Sequence, residues 1–189
     1  RRGLSDVDIK LLEDTYKSFA RSGAALDEAK KEEYRKYTAA LSEATLKFGN
    51  NALAATNAFS INITNPAQVA ELPSFVKDGM AAEAKARGQQ GWTVTLQAPS
   101  YVPFMTYSSQ RDIKERLYRA YNSRALGGEF DNSQLIRDIT SLRLKIANVL
   151  GYETYADYVL EERMAESAAN VNDFLANLRS ATLEYGRKD

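Results

Sequence analysis

The chain has 189 residues, 44% hydrophobic and 26% charged, and its 25 basic and 25 acidic side chains cancel to a formal net charge of zero. A mean hydropathy of −0.46 and apolar runs of only a few residues exclude a membrane-spanning helix, and the charge balance gathers neither nucleic acid nor anionic lipid. There is no cysteine and no histidine, so disulfides, thiolate zinc sites, the usual triad base and the commonest metal ligand are all excluded.

A cysteine-free chain suits cytosol and periplasm equally, so the compartment of this soluble composition stays open. Glycine (10) and proline (4) are scarce, and the apolar spacing is mostly three and four. The expected fold is mainly α. The first amphipathic segment runs from about Leu4 to Phe19, with Leu4, Ile9, Leu12, Tyr16 and Phe19 on one face, and Gly23 is suited to its stop. Asp27 then caps a long helix. Tyr34, Tyr37, Leu41, Ala44 and Phe48 recur along it at three, four, three and four, a seam for a neighbouring helix. Gly49 interrupts that seam and marks a site for a kink or a close approach.

Two segments break the helical period. Phe59–Thr64 and Trp92–Gln97 alternate apolar with polar residues and read as half-buried strands, with a helix from Pro73 to Arg87 between them. The direction of their pairing stays undecided. Pro99-Ser100-Tyr101-Val102-Pro103-Phe104 reads as a rigid aromatic loop. Helices follow at Ser109–Arg124, after Asp131 with Leu135, Ile139, Leu142, Ile146 and Leu150, and from Thr154 to about Met164-Ala165. Ser167 caps the last, which carries Val171, Phe174, Leu175 and Leu178. No linker composition divides the chain, so residues 1–189 are expected to form a single helical unit.

Few residue groups point to chemistry. Ser74 and Lys77 have the Ser-x-x-Lys spacing of serine acyltransferases but lack the companion Lys-Thr-Gly, and Ser74 fits the first turn of a helix. Asp157 with Glu161, and Glu162 with Glu166, pair carboxylates one turn apart; without a third ligand, solvated acidic faces are favoured over a cation site. Arg111, Lys114, Arg116, Arg119 and Arg124 interleave with Tyr118 and Tyr121, a pattern that Asp112 and Glu115 dilute below what single-stranded nucleic acid needs. Tyr152, Tyr155 and Tyr158 share a helical spacing that favours packing, and the Tyr101–Phe104 group favours loop burial over lining a cleft. No catalytic, substrate-binding or metal-ligating residue is assigned.

Several stretches together resemble one family. Phe48-Gly49-Asn50-Asn51-Ala52-Leu53-Ala54-Ala55-Thr56, then Gly91-Trp92-Thr93-Val94-Thr95-Leu96 through Pro99–Phe104 to Tyr107, then Arg111–Arg124, and then Asp131–Ala165 with Leu150-Gly151-Tyr152 and Tyr155-Ala156-Asp157-Tyr158 are collinear with the thimet oligopeptidase family of zinc metallopeptidases. The Asn50-Asn51 to Thr56 stretch is most similar to the bacterial peptidyl-dipeptidases within it. The resemblance implies a longer parent enzyme that holds zinc through His-Glu-x-x-His and a further glutamate. It also implies a mostly helical body with a deep cleft that admits short peptides. None of those ligands can be carried onto a chain without histidine. The implied role is therefore a non-catalytic cleft wall preceding the catalytic region, inactive alone, with the missing catalytic half as its partner. A self-contained helical interaction module using the Tyr34–Phe48 seam is the alternative.

Overall fold

The computed structural model describes residues 3–188, and the mainly α expectation holds. The elements are α1 (Asp6–Arg21), α2 (Glu28–Ala58), β1 (Ser60–Ile63), a short 3₁₀ turn (Pro66–Gln68), α3 (Ser74–Ala86), β2 (Trp92–Thr95), α4 (Ala98–Tyr107), α5 (Arg111–Asn122), α6 (Ser133–Val149), α7 (Tyr155–Leu160) and α8 (Ala168–Gly186). They divide into two compact units. Among the described residues, unit 1 comprises 3–44 and 138–188, and unit 2 comprises 45–137. The boundaries fall inside α2 and α6, where no linker composition exists to mark them.

Unit 2 holds the larger core. β1 and β2 pair antiparallel, with Ile61 opposite Val94 and Ile63 opposite Trp92. Ile61 and Ile63 are buried while Asn62 faces out, as alternation demands. β2 is covered more completely, because Thr93 and Thr95 are buried beside Val94. The Thr93 hydroxyl donates to Gln89 Oε1 at 2.8 Å and accepts from Asn62 Nδ2 at 3.1 Å, which satisfies that buried polar group. Gly91 sets the approach to the strand. Its φ of +83° is left-handed, and a Cβ there would run into the Ile63 carbonyl. Around the sheet, Val69, Leu72, Val76, Met80, Leu96, Phe104, Ile113 and Leu117 form one buried cluster. Each such side chain contributes about 1.5–3 kcal/mol when fully buried.

Residues Pro99–Phe104 correct the sequence reading, because they lie within helix α4 rather than a loop. Pro99 occupies the first turn, where no backbone donor is needed, and Ser100 and Tyr101 N–H both reach the Gln97 carbonyl at 2.9 and 2.8 Å. Pro103 then removes one intrahelical bond, while fully buried Phe104 anchors the helix to the core. A second correction concerns the helix that opens at Thr154. It stops at Leu160, where bonds from Glu162 N to Val159 O and from Arg163 N to Leu160 O tighten the chain into turns, and Glu166 then takes a φ of +62°. A third is local. Asp131 accepts from Ser133 N at 3.0 Å, an Asx turn one residue ahead of the helix, and Asn132 holds the position beside the first helical residue.

Unit 1 is less well covered. On α2, Tyr34, Tyr37 and Leu41 are half-buried and Ala44 is buried, and on α6 Ile139, Ile146 and Ala147 are buried. Asp27 caps α2 through its carboxylate, which accepts from Lys30 N at 2.9 Å. Gly23 has a φ of +86°, and a Cβ there would come within 3.3 Å of the Tyr34 ring and 3.2 Å of Leu26, so the turn packs tightly against α2. By contrast, α1 and α8 bury no residue. The α2 helix passes through Gly49 without a break, and a Cβ at Gly49 would meet open space.

Candidate functional site

The most organised polar cluster lies in unit 1, around the last turn of α1. Three aromatic and acidic groups from the segment 152–161 close around Arg21, whose side chain is only 14% exposed. Its guanidinium carbon sits 4.4 Å from the Tyr158 ring centre and 5.7 Å from that of Tyr152. Arg21 Nη2 donates to the Tyr158 carbonyl at 2.5 Å, and Nη1 donates to the Tyr152 hydroxyl at 3.0 Å and to the Glu161 carboxylate. The Tyr152 hydroxyl donates to the same carboxylate. Lys17, one turn earlier, reaches Glu162 at 2.5 Å and Glu161 at 3.4 Å.

The local sequence explains this placement. Gly151, with a φ of +92°, ends α6 and turns the chain so that Tyr152 follows. Thr154 and Asp157 then form a reciprocal capping box, with Asp157 N donating to Thr154 Oγ1 at 3.1 Å. That start sets Tyr155 and Tyr158 on one side of α7, where Tyr152 and Tyr158 meet edge to face at 5.3 Å. The Tyr152 hydroxyl holds the Glu161 carboxyl below its usual range, and the charges of Arg21 and Lys17 act in the same direction. The same hydrogen bond pushes the Tyr152 hydroxyl up.

Most of the residue groups weighed from the sequence serve local structure. Asp157 serves the capping box and Glu161 serves Arg21, so the two carboxylates act separately. Glu162 pairs with Lys17. Ser74 is exposed in the first turn of α3. In α5, Arg119 pairs with Glu115 at 2.8 Å, and Lys114 donates to the Ser108 carbonyl at 3.2 Å. Tyr101 stacks on Tyr121 at 4.3 Å, Arg124 lies 3.7 Å from the other ring centre of that stack, Tyr121, and Arg124 Nη1 donates to Thr56 at 3.2 Å. Burial pushes the Tyr101 hydroxyl up. These aromatic and basic groups hold unit 2 together.

The polar Asn50–Thr56 stretch is also engaged internally. Asn51 Nδ2 donates to Asn132 Oδ1 at 3.0 Å, Asn132 Nδ2 donates to the Phe48 carbonyl at 3.1 Å, and Thr56 donates to the Ala52 carbonyl at 2.7 Å. Sequence reasoning missed both Asn132, which is 1% exposed, and Arg21. Neither carries a local signal, since their partners lie 81 to 140 residues away.

A groove of about 230 Å³ runs between α3, β2 and α4, lined by Phe75, Met80, Glu83, Gln97, Ser100 and Pro103 among others. Its polar groups are already engaged. Glu83 holds Arg87 at 2.6 Å, Gln97 donates to Asn57 at 2.5 Å, and the Ser100 hydroxyl accepts from Thr95 N at 2.9 Å. The donor set also fails to fit zinc. The chain has no histidine or cysteine, and among the described residues no three Asp or Glu side chains gather where they could hold a metal.

Comparison with known proteins then gives the family context. Residues 104–189 match the profile of Peptidase family M3. Over 185 residues the chain is 37% identical to Oligopeptidase A of Haemophilus influenzae, covering 95% of this chain and 27% of that protein. It is 34% identical over 191 residues to Oligopeptidase A of Escherichia coli, covering 98% and 28% respectively. Saccharolysin of Saccharomyces cerevisiae is 26% identical over 182 residues, with 95% of this chain and 25% of that protein covered. The chain thus spans about a quarter of the length of these relatives. The chain is similar to Peptidase family M3 over residues 104–189 and to oligopeptidases A over nearly all of its own length.

Proposed function

We propose that this chain is a non-catalytic part of a zinc-dependent oligopeptidase, forming a wall of the cleft that admits short peptides. The observation that carries the reading is collinear similarity to oligopeptidases A across 95–98% of the chain, joined to a donor set unsuited to zinc. Catalytic zinc lowers the pKa of its bound water and polarises the scissile carbonyl. In the proposed parent that chemistry belongs to residues outside this sequence. The contribution of these residues is steric. A rigid wall restricts entry to extended chains, because a folded domain cannot follow a peptide into a narrow cleft.

Release of C-terminal dipeptides is a finer reading, carried by the similarity of Asn50-Asn51 to Thr56 to the peptidyl-dipeptidases. Two of those side chains, Asn51 and Thr56, make internal hydrogen bonds. The oligopeptidase A relatives favour the broader activity. The partners in this reading are short peptides and the catalytic half of the same polypeptide. Reading the parent gene downstream of the codon for Asp189 tests the proposal. A His-Glu-x-x-His codon set in frame supports it. A stop codon close behind that position overturns it in favour of a self-contained interaction module.

A further inference from the structure

The uncovered apolar surface of unit 1 is concentrated on its first and last helices, and α8 is the more complete case. Val171, Phe174, Leu178, Ala181 and Tyr185 recur along it at three, four, three and four residues. At 100° per residue these positions form one stripe, with Leu175 at its edge. Every residue from Asn172 to Lys188 is nevertheless exposed, including Phe174 at 66%, Leu178 at 49% and Tyr185 at 70%. The helix has little means of standing alone. Asn172, Asn177, Ser180 and Thr182 are weak helix formers, and in water an isolated helix of this length depends on strong formers or on packing of its apolar face.

We propose that this stripe is an intramolecular interface, covered by an amphipathic helix from the remainder of a longer polypeptide. The inference rests on the proposed function and deepens it by naming the surface through which this part meets the rest of the enzyme. Three observations select that occupant. The profile match at residues 104–189 includes the whole of α8, so the helix lies within the stretch shared with larger peptidases. The relatives carry nearly three quarters of their length outside the matched segment, which supplies ample polypeptide to cover it. A 3.5-residue apolar repeat is complementary to another helix packed knobs into holes. Asp173 and Glu184 flank the stripe and Arg179 stands on the far face, so the polar side of the helix mixes both signs of charge rather than presenting the basic face that an anionic membrane surface requires. A covering helix in the same polypeptide also avoids the association entropy that a second copy would face.

Thiol alkylation of the longer protein tests this directly. Single variants Leu178→Cys, on the stripe, and Ser180→Cys, on the opposite face, are reacted with iodoacetamide under native conditions, and modification of the α8 peptide is followed by mass spectrometry. Both positions are exposed in the present structure. The proposal predicts that Leu178→Cys reacts at least roughly tenfold more slowly than Ser180→Cys, and that the difference vanishes in denaturant. Equal native rates would overturn it. Protection of Leu178→Cys that disappears on dilution would also overturn it, by making a second copy the occupant. Peptide cleavage by the unsubstituted protein is measured separately. Its absence would remove the functional reading while the alkylation rates still report on the interface.

Discussion

Arg21 shows how much one side chain can organise in this molecule. It sits on a helix that buries nothing, yet it contacts two aromatic rings, a backbone carbonyl and a carboxylate from residues more than 130 positions away. Replacing it with alanine removes the cation–π contacts, leaves Tyr158 O without its charged donor and leaves Glu161 with Lys17 as its cationic partner. Arg21→Ala is expected to cost about 1–3 kcal/mol in urea denaturation. Arg21→Lys should recover little of this, because an ammonium cannot lie flat on a ring while donating in several directions. Recovery to within about 0.5 kcal/mol by lysine would reduce the cluster to simple charge pairing.

The same cluster sets a pH dependence. Glu161 is held below its ordinary value of 4.5, so its contribution is present above that pH and is lost as pH falls through the depressed folded value. Tyr152 is raised from 10.0. The neutral hydroxyl is favoured in the fold, and its contribution is lost as pH rises through the raised folded value. Stability from this site should therefore be level between about pH 5 and 9. Glu161→Gln should flatten part of the acid limb of the stability curve. An unchanged acid limb in that variant would mean that other carboxylates govern acid unfolding.

At the scale of elements, the sequence was most informative where local chemistry decides the outcome. Alternation marked both strands, and Asp27 and Ser167 capped the helices assigned to them; of the Tyr34–Phe48 seam, Tyr34, Tyr37 and Leu41 are half-buried and Ala44 is buried, while Phe48 is exposed. Reading failed where tertiary contacts override local signals. The prolines of α4 read as a loop because neither reveals that fully buried Phe104 holds the segment helical. The Arg21 and Asn132 hubs depend on partners distant in sequence, which no periodicity encodes. The two units share helices at their boundaries, so composition could not divide them.

Two glycines distinguish these levels experimentally. Gly49 lies in α2 with open space at its missing Cβ, so Gly49→Ala should stabilise the protein by about 0.5–1 kcal/mol. Gly91 combines a φ of +83° with the Ile63 carbonyl where a Cβ would stand, so Gly91→Ala should destabilise it by at least about 2 kcal/mol. Thermal or urea unfolding of both variants checks the contrast. Effects of the same sign would contradict the helix geometry at Gly49 or the strand approach at Gly91.

At the scale of the whole molecule, the structure pairs a well-filled core in unit 2 with apolar helical faces left uncovered in unit 1. Those faces and the donor set are consistent with one reading, a structural part whose chemistry and covering surfaces lie elsewhere in a longer polypeptide. The most direct measurement assays the 189-residue chain and the longer protein side by side on one unblocked peptide, with zinc and with a chelator, and follows products by mass spectrometry. The account predicts zinc-dependent cleavage by the longer protein, loss of that cleavage with chelator, and no cleavage by the 189-residue chain. Zinc-dependent cleavage by the 189-residue chain itself would contradict it.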